Sequence, residues 1–304
     1  MMKPENKEMA EKIILDTDLG TDCDDAGAIA MLINMASEGK AEILGMTHCA
    51  SEMSGVIAVK AICDWYGAEN MPIGRLTRYS FLEGEKYQRF TGEVSREYEK
   101  VNGTPEFEDS VKLMRRLLAE NSGVTLVTIG MLNNIADLLK SEPDEISSKS
   151  GKELVESSVK CLYSMGGNFV DKNYCEYNIK ANAQSAIYVA ENFPSPIIYA
   201  GFELGCEIKT GINLKNEPEN HPVRRIYDVI GGLGMSWDLI ATYCAAEQDN
   251  KLFRKSTGQT ITFDGHGKTI VKEGGKDYYL IAYESEEEIR QELDRYVKKS
   301  YLVY

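Results

Sequence analysis

The chain has 304 residues, of which 43% are hydrophobic and 27% charged, and its formal net charge is −14. The hydrophobic content supports a sizeable core, and the negative charge argues against a nucleic-acid or anionic-membrane partner. Seven scattered cysteines without CxxC spacing indicate reduced thiols in a cytoplasmic protein and no zinc site. The polar start from Met1 to Lys12 has no signal-peptide pattern, and no window resembles a transmembrane helix.

Apolar strands alternate with helical patterns along most of the chain. The predicted strands are residues 13–15, 42–47, 71–74, 124–129, 159–165 and 196–200. The predicted helices span about 24–38, 54–67, 107–121, a segment ending at 139, and 181–193. This alternation predicts an α/β fold of Rossmann-like type, with a mainly parallel central sheet and flanking helices. Because no linker or repeat interrupts the pattern, we expect one domain over residues 1–304.

Four further segments depart from this rhythm. Residues 75–105 carry several tyrosines among charges, and they predict a long loop or a short helical excursion. This segment could be a substrate lid or simply a set of packed aromatic side chains. Residues 141–158 predict a polar surface connection. Residues 222–247 predict a helical region. Residues 260–281 predict a small β extension near the C-terminus, and a final helix is expected over 285–299.

A dense group of carboxylates follows the first predicted strand. Its members are Asp16, Asp18, Asp22, Asp24 and Asp25. Neither Lys nor Arg occurs between Lys12 and Lys40, so no nearby side chain offsets the charge. Carboxylates this close raise one another's pKa unless a cation binds them. Oxygen-only ligands favour a hard cation such as Ca²⁺ or Mg²⁺.

Polar residues also follow other predicted strands. Thr47 and His48, then Gly166 to Asn168, then Gly201 to Glu203, each come directly after an apolar run. Ligands of open α/β sheets bind at the carboxyl ends of the strands. We therefore expect these residues and the aspartates to line one pocket at one edge of the sheet.

Three simpler interpretations of the aspartates compete with one another. A calcium-binding EF-hand loop starting at Asp16 requires glycine at its sixth position and glutamate at its twelfth, where Thr21 and Gly27 stand. The spacing of Asp16 and Asp18 fits a haloacid-dehalogenase-type phosphatase, but the residue two positions after Asp18 is Gly20. An acidic solvated turn is the remaining alternative.

The aspartate segment resembles a family signature. Residues 16–30 are similar to the Asp-x-Asp-x-Gly-x-Asp-Asp-Ala pattern of the inosine/uridine-preferring nucleoside hydrolase family, with two extra residues after the first glycine. Further similar segments follow in the family's order, at residues 126–136, 165–168, 176–179 and 236–238. The resemblance covers about residues 12–250.

The resemblance implies roles for the matched residues. The implied metal ligands are Asp18, Asp25, Asp238 and the backbone carbonyl of Ile129, around a Ca²⁺ ion. The implied ribose-binding residues are Asp24, Asn168, Glu176 and Asn178. Asp18 is also the implied catalytic base, which takes a proton from the attacking water.

Some residues depart from the family pattern or have no clear role. Trp237 stands where the family has a histidine credited with protonating the leaving base, and its ring suits either stacking on a base or packing in the core. His48 replaces an asparagine, and either a substrate contact or a structural role fits it. Asp16 is expected to anchor the loop from behind. Asp22 has no clear counterpart, and Glu203 follows a strand either in the pocket or in a turn.

The sequence therefore predicts a Ca²⁺-dependent hydrolase of the N-glycosidic bond in ribonucleosides or a related N-ribosylated compound. The products would be ribose and a free base. The missing histidine motivates an alternative, a non-hydrolytic nucleoside or ribose binder, and the phosphatase is a weaker one. Family members are usually homo-oligomers, so a dimer or tetramer is expected, in the cytoplasm.

Overall fold

The computed structural model describes residues 10–171 and 173–298, and in this part of the chain a nine-stranded sheet forms the centre. The strands are β1 (Glu11–Thr17), β2 (Ala41–His48), β3 (Ile73–Arg75), β4 (Glu108–Asp109), β5 (Val124–Thr128), β6 (Val159–Met165), β7 (Ile197–Ala200), β8 (Lys209–Thr210), β9 (Gly234–Met235), β10 (Phe253–Lys255), β11 (Gln259–Phe263), β12 (Thr269–Glu273) and β13 (Tyr278–Ala282).

The helices flank the sheet and connect its strands. They are α1 (Asp24–Ser37), α2 (Met53–Trp65), α3 (Gly92–Asn102), α4 (Ser110–Glu120), α5 (Asn133–Lys140), α6 (Gly151–Ser158), α7 (Tyr177–Ala181), α8 (Ala183–Asn192), α9 (Phe202–Gly205), α10 (Pro222–Asp228), α11 (Trp237–Ala246) and α12 (Glu286–Val297). No helix of the described residues is both long and apolar enough to cross a membrane.

The strand order of the central sheet is β10-β13-β7-β6-β5-β1-β2-β3-β4. Only the pair of β10 and β13 is antiparallel within the described sheet. β1 lies inside, between β5 and β2, with Leu15 opposite Val127 on one side and Met46 on the other. Because β1, β2, β5, β6 and β7 are parallel, their carboxyl ends lie along the same edge, where the predicted polar residues stand.

The core lies on both faces of the sheet, which explains the continuous apolar runs of its strands. Successive side chains of a strand point to opposite faces. Ile13 and Leu15 accordingly pack in one buried cluster with α1 and α11, whereas Ile14 packs in the other with α4 and α5. The helices at both faces exclude water from β1 and hold its end, and the aspartates after it, in place.

The predicted α/β class and mainly parallel sheet are confirmed, and two segments differ from the predictions. Residues 141–158 end in α6, which begins with a Ser150–Glu153 capping box and buries Leu154 and Val155. Residues 222–247 are two helices, because the chain turns between them at Gly231 and Gly232, which have φ values of 90° and 91°.

The tyrosine-rich segment takes the helical one of its two predicted forms, and the remaining departure lies near the C-terminus. Residues 75–105 contain a short 3-10 helix, Glu85–Tyr87, and then α3. The β extension consists of two parts, since β10 and β13 widen the central sheet whereas β11 and β12 form a separate antiparallel hairpin. Met1 to Met9 and the last residue of the helix predicted over 285–299 lie outside the described residues.

Candidate active site

A cavity of about 440 Å³ opens at the carboxyl ends of the parallel strands. The carboxylates that line it are Asp18, Asp22, Asp24, Asp25, Glu176 and Asp238. The other lining residues are Thr21, Lys86, Tyr87, Ile129, Met165, Tyr174, Tyr177, Asn178, Phe202 and Trp237. The pocket therefore has an acidic floor and aromatic walls.

The loop after β1 is fixed from behind by Asp16. Its Oδ1 accepts hydrogen bonds from the Thr47 hydroxyl at 2.6 Å and from the Asn134 amide at 2.8 Å. Its side chain is 1% exposed and does not line the cavity. Burial raises the pKa of Asp16 to about 7, against the effect of these hydrogen bonds. This arrangement agrees with the anchoring role expected for Asp16.

Two glycines allow the backbone to approach the aspartates. Gly20 has a φ of 136°, and a Cβ there would lie 2.8 Å from the Tyr87 carbonyl oxygen. A Cβ at Gly130 would lie 2.6 Å from Oδ1 of Asp18. Larger residues at these positions would displace either the loop or the carboxylate. Glycine is therefore required at both places by the close contact with the aspartate loop.

Asp24, Asp25 and Asp238 form a buried carboxylate triad, with one oxygen from each lying within 4.8 Å of the others. The Asp238 N–H donates to Oδ2 of Asp24 at 3.0 Å. The Thr17 hydroxyl donates to Oδ1 of Asp25. Asp24 and Asp25 begin α1, and Asp238 lies in the first turn of α11. The N-termini of two helices thus stabilise this negative charge.

The pKa values of these carboxyls show that the charge is not fully compensated by the protein. Burial first, and then the charges of neighbouring carboxylates, raise the pKa of Asp25 and Asp238 well above its usual range. Burial is also the main cause that raises the pKa of Asp24, and it raises that of Asp18 to about 6. A buried oxygen-only group of this kind fits a hard divalent cation, which would restore the ionised state.

Glu176 and Asn178 connect the floor of the cavity to the strand β5. The Glu176 carboxylate caps α7 by accepting N–H hydrogen bonds from Asn178 at 2.8 Å and Ile179 at 3.1 Å. The Asn178 side-chain amide donates to the Ile129 carbonyl at 3.1 Å. A carbonyl oxygen has two lone pairs, so the Ile129 oxygen keeps capacity for a second partner.

One wall of the cavity is an aromatic ladder, which we define as Tyr174, Phe202 and Trp237. The rings of Tyr174 and Phe202 stack with centroids 4.4 Å apart. Those of Phe202 and Trp237 stack at 5.2 Å. The Trp237 indole N–H donates to the Phe202 carbonyl at 2.8 Å, which fixes the ring plane. Such a wall suits a flat heteroaromatic ligand.

A model of the inosine-uridine preferring nucleoside hydrolase family matches residues 13–276. The chain belongs to this family. As a family member it is a hydrolase that acts on the N-glycosyl bonds of ribonucleosides. No curated protein sequence matches it.

Solved structures similar to this family member support the same fold. The inosine-uridine preferring nucleoside hydrolase from Bacillus anthracis has a TM-score of 0.73 at 15% identity, over 95% of this chain and 100% of that one. The purine-preferring ribonucleoside hydrolase from Gardnerella vaginalis has a TM-score of 0.70 at 17% identity, over 94% and 98%. The type III effector protein XopQ, complexed with adenosine diphosphate ribose, has a TM-score of 0.68 at 14% identity, over 96% and 94%.

Most of the residues predicted for the site of this family member come together in the cavity. Those that line it are Asp18, Asp22, Asp24, Asp25, Ile129, Glu176, Asn178, Trp237 and Asp238. The triad differs in one member from the three carboxylates of the predicted ligand set, since it contains Asp24, which is expected to bind ribose, and lacks Asp18. The carboxylate of Asp18 lies in the same cavity and accepts from the Thr21 hydroxyl at 2.7 Å.

Three other predicted residues do not line the cavity. His48 is buried behind the loop, with Nδ1 2.9 Å from the Ala50 carbonyl and Nε2 3.1 Å from the Leu19 carbonyl. The Asn168 Oδ1 accepts from the N–H groups of Val170 and Asp171, so it closes a turn. Glu203 accepts from the Phe169 N–H at 3.2 Å. The geometry therefore gives no support to a direct substrate contact by these three side chains.

The cavity also contains residues to which the sequence assigned no role. Lys86 and Tyr87 come from the tyrosine-rich segment. Tyr174 comes from the turn before α7, and Tyr177 is the first residue of that helix. The several tyrosines of residues 75–105 are the sequence feature that could have indicated a contribution of this segment to the cavity. A place for Tyr177 in the cavity could have been predicted, because it stands between Glu176 and Asn178.

Glu176→Gln is expected to change how stability depends on pH. Burial raises the pKa of Glu176 from 4.5 to about 7, so the folded state holds a proton that the unfolded state loses. The free energy of unfolding in metal-free buffer therefore falls as the pH rises from about 4.5 to 7, by up to about 3 kcal/mol from this group. The glutamine variant lacks this contribution.

Urea unfolding of wild type and variant at pH 5 and pH 8 measures the effect. The stability of the wild type relative to Glu176→Gln should be lower at pH 8 than at pH 5. An equal difference at the two pH values would show that Glu176 keeps an ordinary pKa in the folded protein.

Proposed function

We propose that this protein hydrolyses the N-glycosidic bond of ribonucleosides, or of a related N-ribosylated compound, in a Ca²⁺-dependent reaction. The products are ribose and a free base. The observation that carries the proposal is the buried triad of Asp24, Asp25 and Asp238 at the floor of a cavity with an aromatic ladder on its wall. This combination provides an oxygen-rich cation site and a stacking surface for a base in one pocket.

The proposed metal ligands are Asp18, Asp25, Asp238 and the Ile129 carbonyl. Asp24 is close enough to Asp25 and Asp238 to join them. Ca²⁺ is the proposed ion because it accepts six to eight oxygen ligands in flexible geometry, whereas Mg²⁺ needs a near-ideal octahedron. When bound, the ion would supply Lewis acidity toward the ribose hydroxyls and lower the pKa of water.

The residues of the floor would orient the sugar and activate water. Asp18 would accept the proton of the attacking water as general base. Asp24 would accept a hydrogen bond from a ribose hydroxyl, with Glu176 and Asn178 holding the rest of the sugar. As the bond to the base breaks, positive charge develops on the ribose, and the surrounding carboxylates would stabilise it.

The aromatic ladder would bind the base by stacking. Trp237 and Tyr174, at the two ends of the ladder, each keep a ring face that Phe202 does not cover, and a flat base on one of them gains both apolar burial and a favourable quadrupole contact. This role needs no proton transfer from Trp237. The cytoplasmic location, the single domain over residues 1–304 and a dimeric or tetrameric assembly belong to the same proposal.

A non-hydrolytic nucleoside binder is the second candidate. The observation that favours it is Trp237, which cannot protonate a leaving base where the family pattern has a histidine. In that case the cavity would hold a ribosylated ligand without cleaving it.

A panel of purine and pyrimidine nucleosides separates the two candidates. With Ca²⁺ present, we expect release of reducing sugar from at least one nucleoside. A rise of the melting temperature with Ca²⁺ and nucleoside, without any sugar release, would instead establish the binder.

A further inference from the structure

The departing base needs a proton donor in the cavity. Cleavage of the N-glycosidic bond leaves its electron pair on a nitrogen of the base, and protonation of that nitrogen lowers the barrier. Among the described residues that line the cavity there is no histidine. The carboxyls belong to the floor, around the sugar and the proposed metal. The remaining groups that can give up a proton are the Thr21 hydroxyl, Lys86 and three tyrosines.

Tyr87 and Tyr177 form a hydroxyl pair at the mouth of the cavity. The two tyrosines line the same cavity, close enough together for Tyr87 to raise the pKa of Tyr177. The Lys86 ammonium lies 4.5 Å from the centre of the Tyr87 ring. Tyr174 belongs instead to the aromatic ladder, stacked on Phe202. Tyr174 has a hydroxyl but no neighbouring ammonium in the cavity lining, whereas Tyr87 has Lys86 against its ring and Tyr177 beside it.

The backbone that carries Tyr87 is held in place from two sides. The buried Glu52 carboxylate accepts from the Gly84 N–H at 3.0 Å and from the Gln88 side-chain amide at 3.1 Å. The Tyr87 carbonyl packs against Gly20 of the aspartate loop. Tyr87 is thus positioned relative to the carboxylates that would bind the sugar.

We propose that the Tyr87 hydroxyl protonates the departing base, while Tyr177 donates a hydrogen bond to the Tyr87 oxygen and Lys86 stabilises the phenolate. This inference rests on the proposed hydrolase function. In the step, the bond between C1′ and the base nitrogen breaks and the nitrogen takes the proton of Tyr87. Water adds its oxygen to C1′ and gives its proton to Asp18. The phenolate of Tyr87 then regains a proton from solvent, and Asp18 releases the proton that it took from water to solvent.

The protonation states agree with this division of roles. Burial, together with the neighbouring Tyr87 and Asp18, raises the pKa of Tyr177 to about 12, so Tyr177 keeps its proton and serves as hydrogen-bond donor. Its side chain is 47% exposed, which gives the pair access to solvent protons. A phenolate formed on Tyr87 would have both a hydrogen bond and an ammonium beside it.

The test compares two leaving groups in the Tyr87→Phe variant. A nucleoside base needs a proton to depart, whereas the 4-nitrophenolate of 4-nitrophenyl ribofuranoside departs as an anion. Tyr87→Phe is expected to lower kcat for the nucleoside by about 10²-fold or more and to leave kcat for the nitrophenyl riboside unchanged. Tyr177→Phe should show the same selectivity with a loss of about tenfold, the equivalent of one hydrogen bond.

Controls separate this proposal from the simpler explanations. Tyr283→Phe, at an exposed position, should change neither rate. Equal losses on both substrates would make Tyr87 a positioning residue, and no loss on the nucleoside would exclude it; either result overturns the proposal. If Lys86→Met alone shows the selective loss, the ammonium is the acid and the proposal is also wrong. Wild-type protein that cleaves neither substrate would overturn the hydrolase function, and with it this inference.

Discussion

Asp18→Asn is expected to lower kcat for nucleoside hydrolysis by about 10³-fold, the usual contribution of a positioned general base. The substitution keeps the size of the side chain and its hydrogen bond with Thr21, but the amide cannot accept the proton of the attacking water. Initial rates of sugar release at saturating nucleoside and Ca²⁺ measure the loss.

Two control variants show whether this loss is specific to Asp18. Asp228→Asn, with a half-exposed carboxylate paired to Arg224 on α10, should retain the wild-type rate. Asp16→Ala should mainly lower the melting temperature, because it removes the anchor to Thr47 and Asn134. Unchanged kcat in Asp18→Asn would show that another group activates the water.

Asp25→Asn and Asp238→Asn are each expected to weaken Ca²⁺ binding by at least about 100-fold. Loss of a residue that only supports a ligand costs 10- to 100-fold in affinity, so loss of a ligand should cost at least the upper value. Each variant removes one of the charges that a cation would neutralise within the triad. Calorimetric titration of the metal-free proteins with Ca²⁺ measures the affinity.

The two variants should also differ from the wild type in the absence of metal. Because burial and mutual repulsion oppose ionisation of these carboxyls, removing one of them should not lower the melting temperature in chelator. A variant with weak Ca²⁺ binding and a much lower metal-free melting temperature would indicate misfolding. Wild-type affinity in both variants would place the metal elsewhere.

Much of the fold could be predicted because local patterns of apolar and polar residues indicate its strands and helices. The apolar run of β1 and the aspartates after it locate a buried strand and its carboxyl end, and parallel pairing places that end beside those of β2 and β5. The break between α10 and α11 was missed, because both helices carry apolar residues and only Gly231 and Gly232 mark the turn. Helix α6 was not predicted, because most residues of the segment that contains it are polar.

The acidic floor of the site was easier to predict than its walls. Four of the five loop aspartates line the cavity, since their spacing alone places them at a strand end. The aromatic ladder and the tyrosine pair instead combine side chains from segments far apart in the chain, and no local pattern shows which rings will meet. His48 stands at a strand end as predicted, but its ring turns toward the Leu19 carbonyl behind the loop.

The features that distinguish this chain from the family pattern lie on the side of the cavity that is proposed to face the base. The floor, with Asp18, Asp25 and Asp238, agrees with the family pattern. Trp237 stacks where a proton donor is expected, and Tyr87 and Tyr177 stand at the mouth with hydroxyl groups. Substitutions in the ladder and in the tyrosine pair should therefore change which nucleosides are cleaved. Substitutions of the carboxylates on the cavity floor should instead change the requirement for metal.

The most direct measurement is the rate of ribose release from nucleosides by metal-stripped protein as Ca²⁺ is added back. The proposed function predicts no turnover in chelator and a rate that rises with Ca²⁺ along the same saturation curve as calorimetric binding. It also predicts that Asp238→Asn shifts both curves together. Full turnover by the metal-free protein would contradict the proposed role of the carboxylate triad.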